Sequence, residues 1–328
     1  MKKINESYKK KKKVKVLMGG PSSEHEVSLK SGKKVIEHLN PEWYEVQPII
    51  ISKEGVWEIP IEVVVQESDV IFIAMHGKYG EDGTVQSLLD EKRIPYTGSN
   101  TLSSALAMNK FLAGEMFRRN GLAVPLTFLV GKEEWNNERD EVVSRVKHYL
   151  SFPIVVKPNN QGSSVGVHIV RSWDEWLHAM RDAFKISREV LVQAFIKGKE
   201  VTCGVLDHGW SEGAYPLLPT EIVPRKSHFF DYNAKYDIEG SEEITPARIS
   251  DHQLHEVQRV AVTAHKSVGA TGFSRTDMII DEHGTIYVLE INTIPGLTEE
   301  SLLPKAAMAS GIPFSELLDR VIRAALKE

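Results

Sequence analysis

Three oxygen-bearing side chains, Asp277, Glu290 and Asn292, have the types and spacing to hold a hard cation. Phe273 to Ile280 reads as a strand, Asp281-Glu-His-Gly284 as a turn, and Thr285 to Asn292 as a returning strand. With a turn near Glu282 and His283, no bulge, and facing residues whose numbers sum to about 567, Asp277 stands opposite Glu290 and Arg275 opposite Asn292. Side chains alternate along a strand, so these four share one face, while Tyr287, Leu289 and Ile291 point the other way into a core. Facing carboxylates repel. A magnesium ion between them removes that cost, since it takes oxygen ligands, usually one or two carboxylates plus phosphates. Spacing alone leaves a commoner use open: a solvated face where Arg275 and Asp277 form a surface ion pair. After Asn292 the chain runs through Thr-Ile-Pro to Gly296, which can offer its backbone N–H close to a ligand.

A second set of residues suits anionic oxygens. Lys157-Pro-Asn-Asn-Gln-Gly162-Ser163-Ser164-Val165-Gly166 joins two predicted strands, and its glycines, hydroxyls and N–H groups can cradle phosphate. It is neither a Walker A loop, lacking the Gly-Lys-Ser/Thr ending and a following helix, nor a dinucleotide fingerprint. Alone, such a loop is more often only a turn. Val192-Gln193-Ala194-Phe195-Ile196, followed by Glu200, reads as strand, short link, strand; the link could grip adenine and Glu200 the ribose. His76 opens a glycine-rich loop and serves either a substrate or a turn. His25 and His255 each precede Glu-Val but lack the second histidine of a zinc-protease helix. His252 and His255 share a solvated helix face. Cys203, the single cysteine, lies in an apolar run and reads as a buried, inert thiol.

These side chains need a scaffold of more than one unit. The chain has 328 residues, 41% hydrophobic and 26% charged, with net charge −5. That is a globular composition of two or three packed units, with no basic balance to suggest nucleic acid and no apolar run of membrane-spanning length. One cysteine excludes an internal disulfide framework. Residues 1–12 are Lys-rich, lack the apolar stretch of a secretory signal, and read as a mobile tail. From Val14 to Glu91, strand and helix signals alternate: strands at Val14–Met18, Val46–Ile51 and Val70–Met75, helices near Val27–Leu39 and Thr84–Glu91. This order implies a Rossmann-like parallel sheet whose ligand loops, Gly19 to Glu24 and His76 to Gly83, leave the strand carboxyl ends. A helix over Thr101–Arg119 leads to a mixed region: strands Leu126–Val130, Pro153–Lys157 and Val165–Val170, helices Glu138–Leu150 and Trp173–Ala183, then strands Glu189–Phe195 and Glu200–Leu206. Residues 224–245 have weak periodicity and read as a lid. Ser250 caps a helix ended by Gly269.

Together the motifs resemble the ATP-grasp superfamily, and within it the D-alanine:D-alanine ligase family. The resemblance runs from about Val14 to Leu326 on six ordered motifs: Gly19-Gly-Pro-Ser-Ser-Glu24-His-Glu-Val-Ser-Leu29, His76-Gly-Lys-Tyr-Gly-Glu-Asp-Gly83, Pro95-Tyr-Thr-Gly-Ser99, Lys157 to Gly166, Asp231-Tyr-Asn-Ala-Lys-Tyr236, and Asn292 to Gly296. It implies an α/β (mixed α+β) chain: a parallel-sheet domain at 13–120 and a two-part ATP-grasp fold at 121–208 and 209–328, the latter carrying the lid.

The resemblance also implies the chemistry. ATP would phosphorylate one D-alanine carboxylate, and the amine of a second would displace phosphate, serving peptidoglycan precursor synthesis. Glu24 would bind the first ammonium group and form a hydrogen-bonded set with Ser163 and Tyr236. Arg275 and the Gly296 N–H would stabilise the oxyanion. His76, Ser301, Leu302 and Lys235 would bind amino acid. Lys110, Lys157, Lys235, Ser163, Ser164, the Gln193–Ile196 link, Glu200 and Asn292 would bind ATP. Asp277, Glu290 and Asn292 would hold two magnesium ions, with manganese as a substitute. A cytoplasmic homodimer binding neither membrane nor nucleic acid is the expected form. Relatives often place Glu-Lys where this chain has Gln193-Ala194, so a lysine contact to the purine is lost here. Tyr236 favours an amine over a hydroxyl acceptor. D-serine or D-lactate as acceptor, or a non-catalytic ATP sensor on the same fold, are the competing expectations.

Overall fold

The computed structural model describes residues 11–163, 165–207, 213–224 and 241–327. Ser164, Lys235, Tyr236, most of the expected lid and the tail up to residue 10 lie outside them.

The first sheet is built from β1 (Lys12–Gly19), β2 (Tyr44–Ile51) and β3 (Val70–Ile73), with α1 (His25–His38), α2 (Ile61–Gln66) and α3 (Thr84–Lys92) between and after them. Its strands are parallel in the order β2-β1-β3. All four residues of β3 are fully buried, which is why they read as an unbroken apolar run. Because β1 and β3 are neighbours, the loop leaving β3 meets the first turn of the helix that follows β1: the His76 N–H donates to Ser28 Oγ at 2.9 Å.

The sequence predicts one helix over Thr101–Arg119. The structure has two, α4 (Thr101–Met108) and α5 (Lys110–Arg119), broken at Asn109. Asn109 is extended (ψ 95°), and its side chain accepts the Leu112 N–H at 3.0 Å, restarting the helix. A short polar side chain that can bond its own backbone competes in this way with helix continuation. The break places Lys110 in the first turn of α5.

The second sheet is antiparallel, in the order β4 (Thr127–Gly131), β7 (Glu189–Ala194), β5 (Ile154–Pro158), β6 (His168–Val170). Helices α6 (Lys132–Asn137), α7 (Arg139–Tyr149) and α8 (Trp173–Ile186) bury Trp135, Val142, Trp176 and Met180 with it. The strand expected from Val165 starts only at His168, because Gly166 turns at φ +75°.

The third sheet runs β11 (Ser241–Ile244), β10 (Thr220–Pro224), β8 (Gly198–Asp207), β12 (Phe273–Asp281), β13 (Ile286–Asn292), with β9 (Ala214–Pro216) on β8. Helix α9 (Asp251–Ser267) starts from a Ser250/Gln253 capping box and buries Val257, Val260, Ala261 and Ala264. The last helices, α10 (Leu302–Ala309) and α11 (Phe314–Leu326), return to the first sheet: Leu303, Leu317, Leu318, Val321 and Ile322 share a core with Val16, Phe72 and Ile73. That return carries the segment from Asn292 to Leu302 back to the N-terminal loops.

The hairpin pairs Arg275 with Asn292 and Asp277 with Glu290, as expected, but reaches that register through a bulge. Ile280 pairs with Ile286, which centres the turn on His283 and, continued unbroken, would set Asp277 opposite Leu289; a bulge after Asp277 passes over Leu289 and brings Glu290 opposite instead. An extra residue breaks alternation. Leu289 therefore lies beside Glu290 on the cleft wall, and Tyr287 pairs with Ile279, itself a cleft residue, rather than either lying in the core. Of the three residues expected inside, only Ile291 is fully buried, with Val288 as its core neighbour.

Candidate active site

The hairpin face is not solvated. Arg275 and Asp277 are each 8% exposed. Arg275 donates twice to Asp277, Nε to Oδ1 at 2.9 Å and Nη2 to Oδ2 at 2.8 Å. Thr202 Oγ1 donates to Asp277 Oδ1 at 2.6 Å, and Asn292 Nδ2 approaches Oδ2 at 3.4 Å. Burial disfavours the Arg275 charge, but Asp277 outweighs it and holds the guanidinium firmly protonated. The surface ion pair that spacing alone allowed is thus a buried fork. Across from it, Lys110 Nζ lies 3.2 Å from Glu290 Oε2.

These residues separate two cavities. Asp277 and Glu290 face a cleft of ≈ 840 Å³, mouth included, between the second and third sheets. Lys110, Lys157, Gln193 to Ile196, and Glu200 line it, with Val155, Val167, Ile279 and Leu289 as apolar walls. Every described residue expected at the nucleotide lines this cleft except Ser163 and Asn292, which face the neighbouring cavity. Lys157 is buried, and loss of hydration lowers its pKa to about 8, with Glu290 opposing and Lys110 adding to the shift. The Gln193 amide donates to Thr127 Oγ1 at 2.8 Å, so in this chain that side chain is committed to the neighbouring strand.

Arg275 and Asn292 face a larger, open cavity of ≈ 2350 Å³, mouth included, which Lys110 also touches. Glu24, His76, Ser163, Gly296, Ser301 and Leu302 line it, as expected. Ser163 donates to Glu24 across the two units. Ser163 has φ +52°, a left-handed backbone that costs a non-glycine residue energy and is held here by its surroundings. The glycines beside it make the approach possible. A Cβ on Gly162 would lie 2.9 Å from Glu24 Oε2, and one on Gly77 2.6 Å from the same atom. His76 is 3% exposed. Its Nδ1 donates to the Ile294 carbonyl at 2.9 Å, and Nε2 meets the Ser31 hydroxyl at 2.7 Å. It ties the N-terminal loops to the Asn292–Gly296 segment. Thr298 N–H donates to Ser301 Oγ at 3.1 Å, closing the turn that presents Gly296 and Leu302.

Two residues in this site were not singled out by the sequence. Glu81 lines the larger cavity 3.7 Å from His76, and its Oε1 accepts the Gly77 N–H at 3.0 Å. Burial pushes its carboxyl up, with nearby His76 opposing. The His76–Gly83 motif contains it, but a carboxylate between Gly and Asp-Gly reads as turn chemistry. Asn159 lies in the Lys157–Gly166 motif, fully buried, and nothing in its type announces that.

The donor set fits magnesium. Among the described residues no three His, Cys, Asp or Glu side chains converge. Two facing carboxylates and one amide are what remains, all oxygen donors. Such a set leaves most positions for phosphate and water, as magnesium prefers.

A parallel-sheet unit ahead of two antiparallel sheets that clasp a cleft is the ATP-grasp architecture. Residues 116–323 match the family model for the D-ala D-ala ligase C-terminus, and residues 13–63 and 60–99 that for the N-terminus. A D-alanine--D-alanine ligase from Geotalea uraniireducens is 43% identical over 318 residues, covering 96% of each chain. Among solved structures, the VanG D-Ala:D-Ser ligase from Enterococcus faecalis has a TM-score of 0.85 at 32% identity, covering 96% of this chain and 100% of that one. A D-alanine--D-alanine ligase from Bacillus anthracis complexed with ATP has a TM-score of 0.80 at 36% identity, covering 97% and 98%. The chain belongs to the D-alanine--D-alanine ligase family.

Proposed function

We propose that this chain joins two molecules of D-alanine into D-alanyl-D-alanine for cell-wall precursor synthesis, forming ADP and phosphate. The observation that carries the reading is the buried hairpin between two cavities, with cations and oxygen donors toward one and Arg275 toward the other. Family membership supports the same conclusion.

ATP occupies the smaller cleft, adenine against the Gln193–Ile196 link, ribose toward Glu200, phosphates toward Lys110, Lys157 and the Gly-Ser loop with Ser163 and Ser164. Magnesium bound by Asp277, Glu290 and Asn292 supplies charge neutralisation for phosphoryl transfer. In the larger cavity Glu24, oriented by Ser163, binds the first ammonium group. His76 holds the Ile294–Gly296 segment against the N-terminal loops. The first carboxylate lies at the partition and is phosphorylated there. Arg275 and the Gly296 N–H stabilise the oxyanion formed when the second amine attacks. Ser301, Leu302 and Lys235 bind the second amino acid. Tyr236 completes the set with Glu24 and Ser163. The division into 13–120, 121–208 and 209–328, a lid over 224–245, a cytoplasmic location and a homodimer belong to the same reading.

D-Serine as acceptor is a second reading, favoured by the likeness to the Enterococcus faecalis D-Ala:D-Ser ligase. Equimolar D-alanine, D-serine and D-lactate supplied with magnesium-ATP, followed by mass spectrometry, test both. D-Alanyl-D-alanine as main product is expected. A predominance of D-alanyl-D-serine would replace the first reading with the second, and nucleotide binding with no product would remove both.

A further inference from the structure

We propose that Asn159 is a positioning residue that latches the two walls of the nucleotide cleft together at the phosphate end and so sets the separation of Lys110 and Lys157. This inference rests on the reading of that cleft as an ATP site.

Asn159 follows Lys157 by two residues, at the end of β5 on one wall. Lys110 begins α5, which packs against β13 on the other wall: Ala113 and Phe117 share a core with Val288 and Ile291. Asn159 joins them. It is fully buried, and each side-chain hydrogen-bonding atom is used. Its Oδ1 accepts the Phe111 N–H at 2.9 Å. Its Nδ2 donates to Asn109 Oδ1 at 3.1 Å and to Glu189 Oε2 at 2.8 Å. The backbone adds two more bonds: its carbonyl accepts the Lys110 N–H at 3.2 Å, and its N–H donates to the Glu189 carbonyl at 3.1 Å. The amide orientation is forced, because Phe111 N–H needs an acceptor and the Glu189 carboxylate needs a donor.

The consequence is mechanical. Asn109 breaks the helix so that Lys110 starts a new one, and Asn159 holds both sides of that break. Lys110 Nζ then donates to the Gln161 carbonyl at 2.8 Å, inside the Gly-Ser loop. The two walls are otherwise joined covalently near the Gln193–Ile196 link, at the adenine end. Without the side-chain latch, half-buried Lys110 and buried Lys157, which repel each other, would among the described residues be held at this end only by the Lys110 N–H bond to the Asn159 carbonyl and the Lys110–Gln161 contact. A buried polar knot of this kind is costly when half satisfied.

The test uses the full chain. Asn159→Ala removes three bonds, and Asn159→Asp keeps the size but sets oxygen against the Glu189 carboxylate. ATP affinity is measured by calorimetry, KM for ATP and for D-alanine by turnover, and folding by thermal unfolding. Asn159→Ala is expected to weaken ATP binding on the order of tenfold, with KM for D-alanine within about twofold, and Asn159→Asp to weaken it more. Adding Glu189→Gln to Asn159→Asp supplies a donor and is expected to recover most of that loss. A folded Asn159→Ala with unchanged ATP affinity, or an Asn159→Asp defect that Glu189→Gln leaves untouched, overturns the proposal. Should Asn159→Ala not fold, Glu189→Ala removes one partner at a half-buried position: weaker ATP binding supports the latch, and unchanged binding overturns it. Calorimetry needs no turnover, so a chain that binds ATP but joins no amino acids would overturn the ligase reading and leave this test intact.

Discussion

Arg275 grips Asp277 by two near-parallel hydrogen bonds of 2.9 and 2.8 Å, and both side chains are buried at the partition between the two cavities. The pair gives one residue to each side. A metal ion at Asp277 would share that carboxylate with Arg275, so the two sides are linked through it.

Arg275→Ala should therefore do two things. Turnover should fall about 10²–10³-fold through loss of oxyanion stabilisation. Stability should also fall, by about 3–5 kcal/mol, because Asp277 is left buried without its cation. Millimolar magnesium should raise the melting temperature of Arg275→Ala more than that of the parent chain, since the ion replaces the missing charge. Equal magnesium responses would mean that Asp277 is not a ligand. Arg275→Lys should not rescue turnover, because an ammonium group cannot reproduce the fork.

Lys157 gives a pH signature. Its pKa is lowered to about 8 in the free chain, and bound phosphate should return it toward the ordinary lysine value. Between about pH 8 and 10 the complex then holds more protons than the free protein. ATP binding should take up a proton there, and affinity should fall as pH rises through this window. Calorimetry at pH 8.5 in two buffers of different ionisation enthalpy measures the uptake. No uptake would place Lys157 away from the phosphates. The unfolded chain keeps this lysine protonated to higher pH, so the group's destabilising effect is complete below about pH 8 and eases as pH climbs above it.

The close approach at Glu24 separates two glycines. Gly77→Ala brings a Cβ to 2.6 Å from Glu24 Oε2 at φ +72°, so both strain and displacement follow. Stability should fall by roughly 1–2 kcal/mol. Gly162 has no left-handed backbone and its Cβ would meet Glu24 Oε2 at 2.9 Å. Gly162→Ala should leave the melting temperature near that of the parent while raising KM for D-alanine several-fold. A loss of stability with unchanged KM would argue that Glu24 does not bind substrate.

Cys203 is fully buried in β8, and burial pushes its thiol up to about 12. Iodoacetamide at pH 8 should leave activity intact and label the thiol only after denaturation. Rapid native labelling with loss of activity would overturn the inert assignment.

Much of this site can be read from residue types. Strand alternation brings Arg275, Asp277, Glu290 and Asn292 together, and adjacent parallel strands bring Glu24 near His76. Geometry that depends on single irregularities cannot be read that way. The turn centred on His283 would by itself set Asp277 opposite Leu289, and the bulge advances the pairing by one, so the site register is the expected one while Leu289 lines the cleft and Tyr287 pairs with cleft-lining Ile279. The break at Asn109 is hidden because its flanks, Thr101–Met108 and Lys110–Arg119, are both good helix sequence. Asn159 is a polar residue in a polar loop, and only its contacts distinguish it from a solvated one. Nor does spacing distinguish a surface ion pair from a buried fork, because the burial comes from β8 and the N-terminal loops, far away in sequence.

The most direct test follows the oxygen atom that must cross the partition. D-Alanine carrying ¹⁸O in its carboxylate is turned over with magnesium-ATP, and the phosphate released is analysed by mass spectrometry. If the carboxylate is phosphorylated and phosphate is then displaced by the second amine, each phosphate formed with D-alanyl-D-alanine carries one ¹⁸O. Unlabelled phosphate accompanying the dipeptide would contradict an acyl-phosphate route and the placement of the first carboxylate at the Arg275–Asp277 partition.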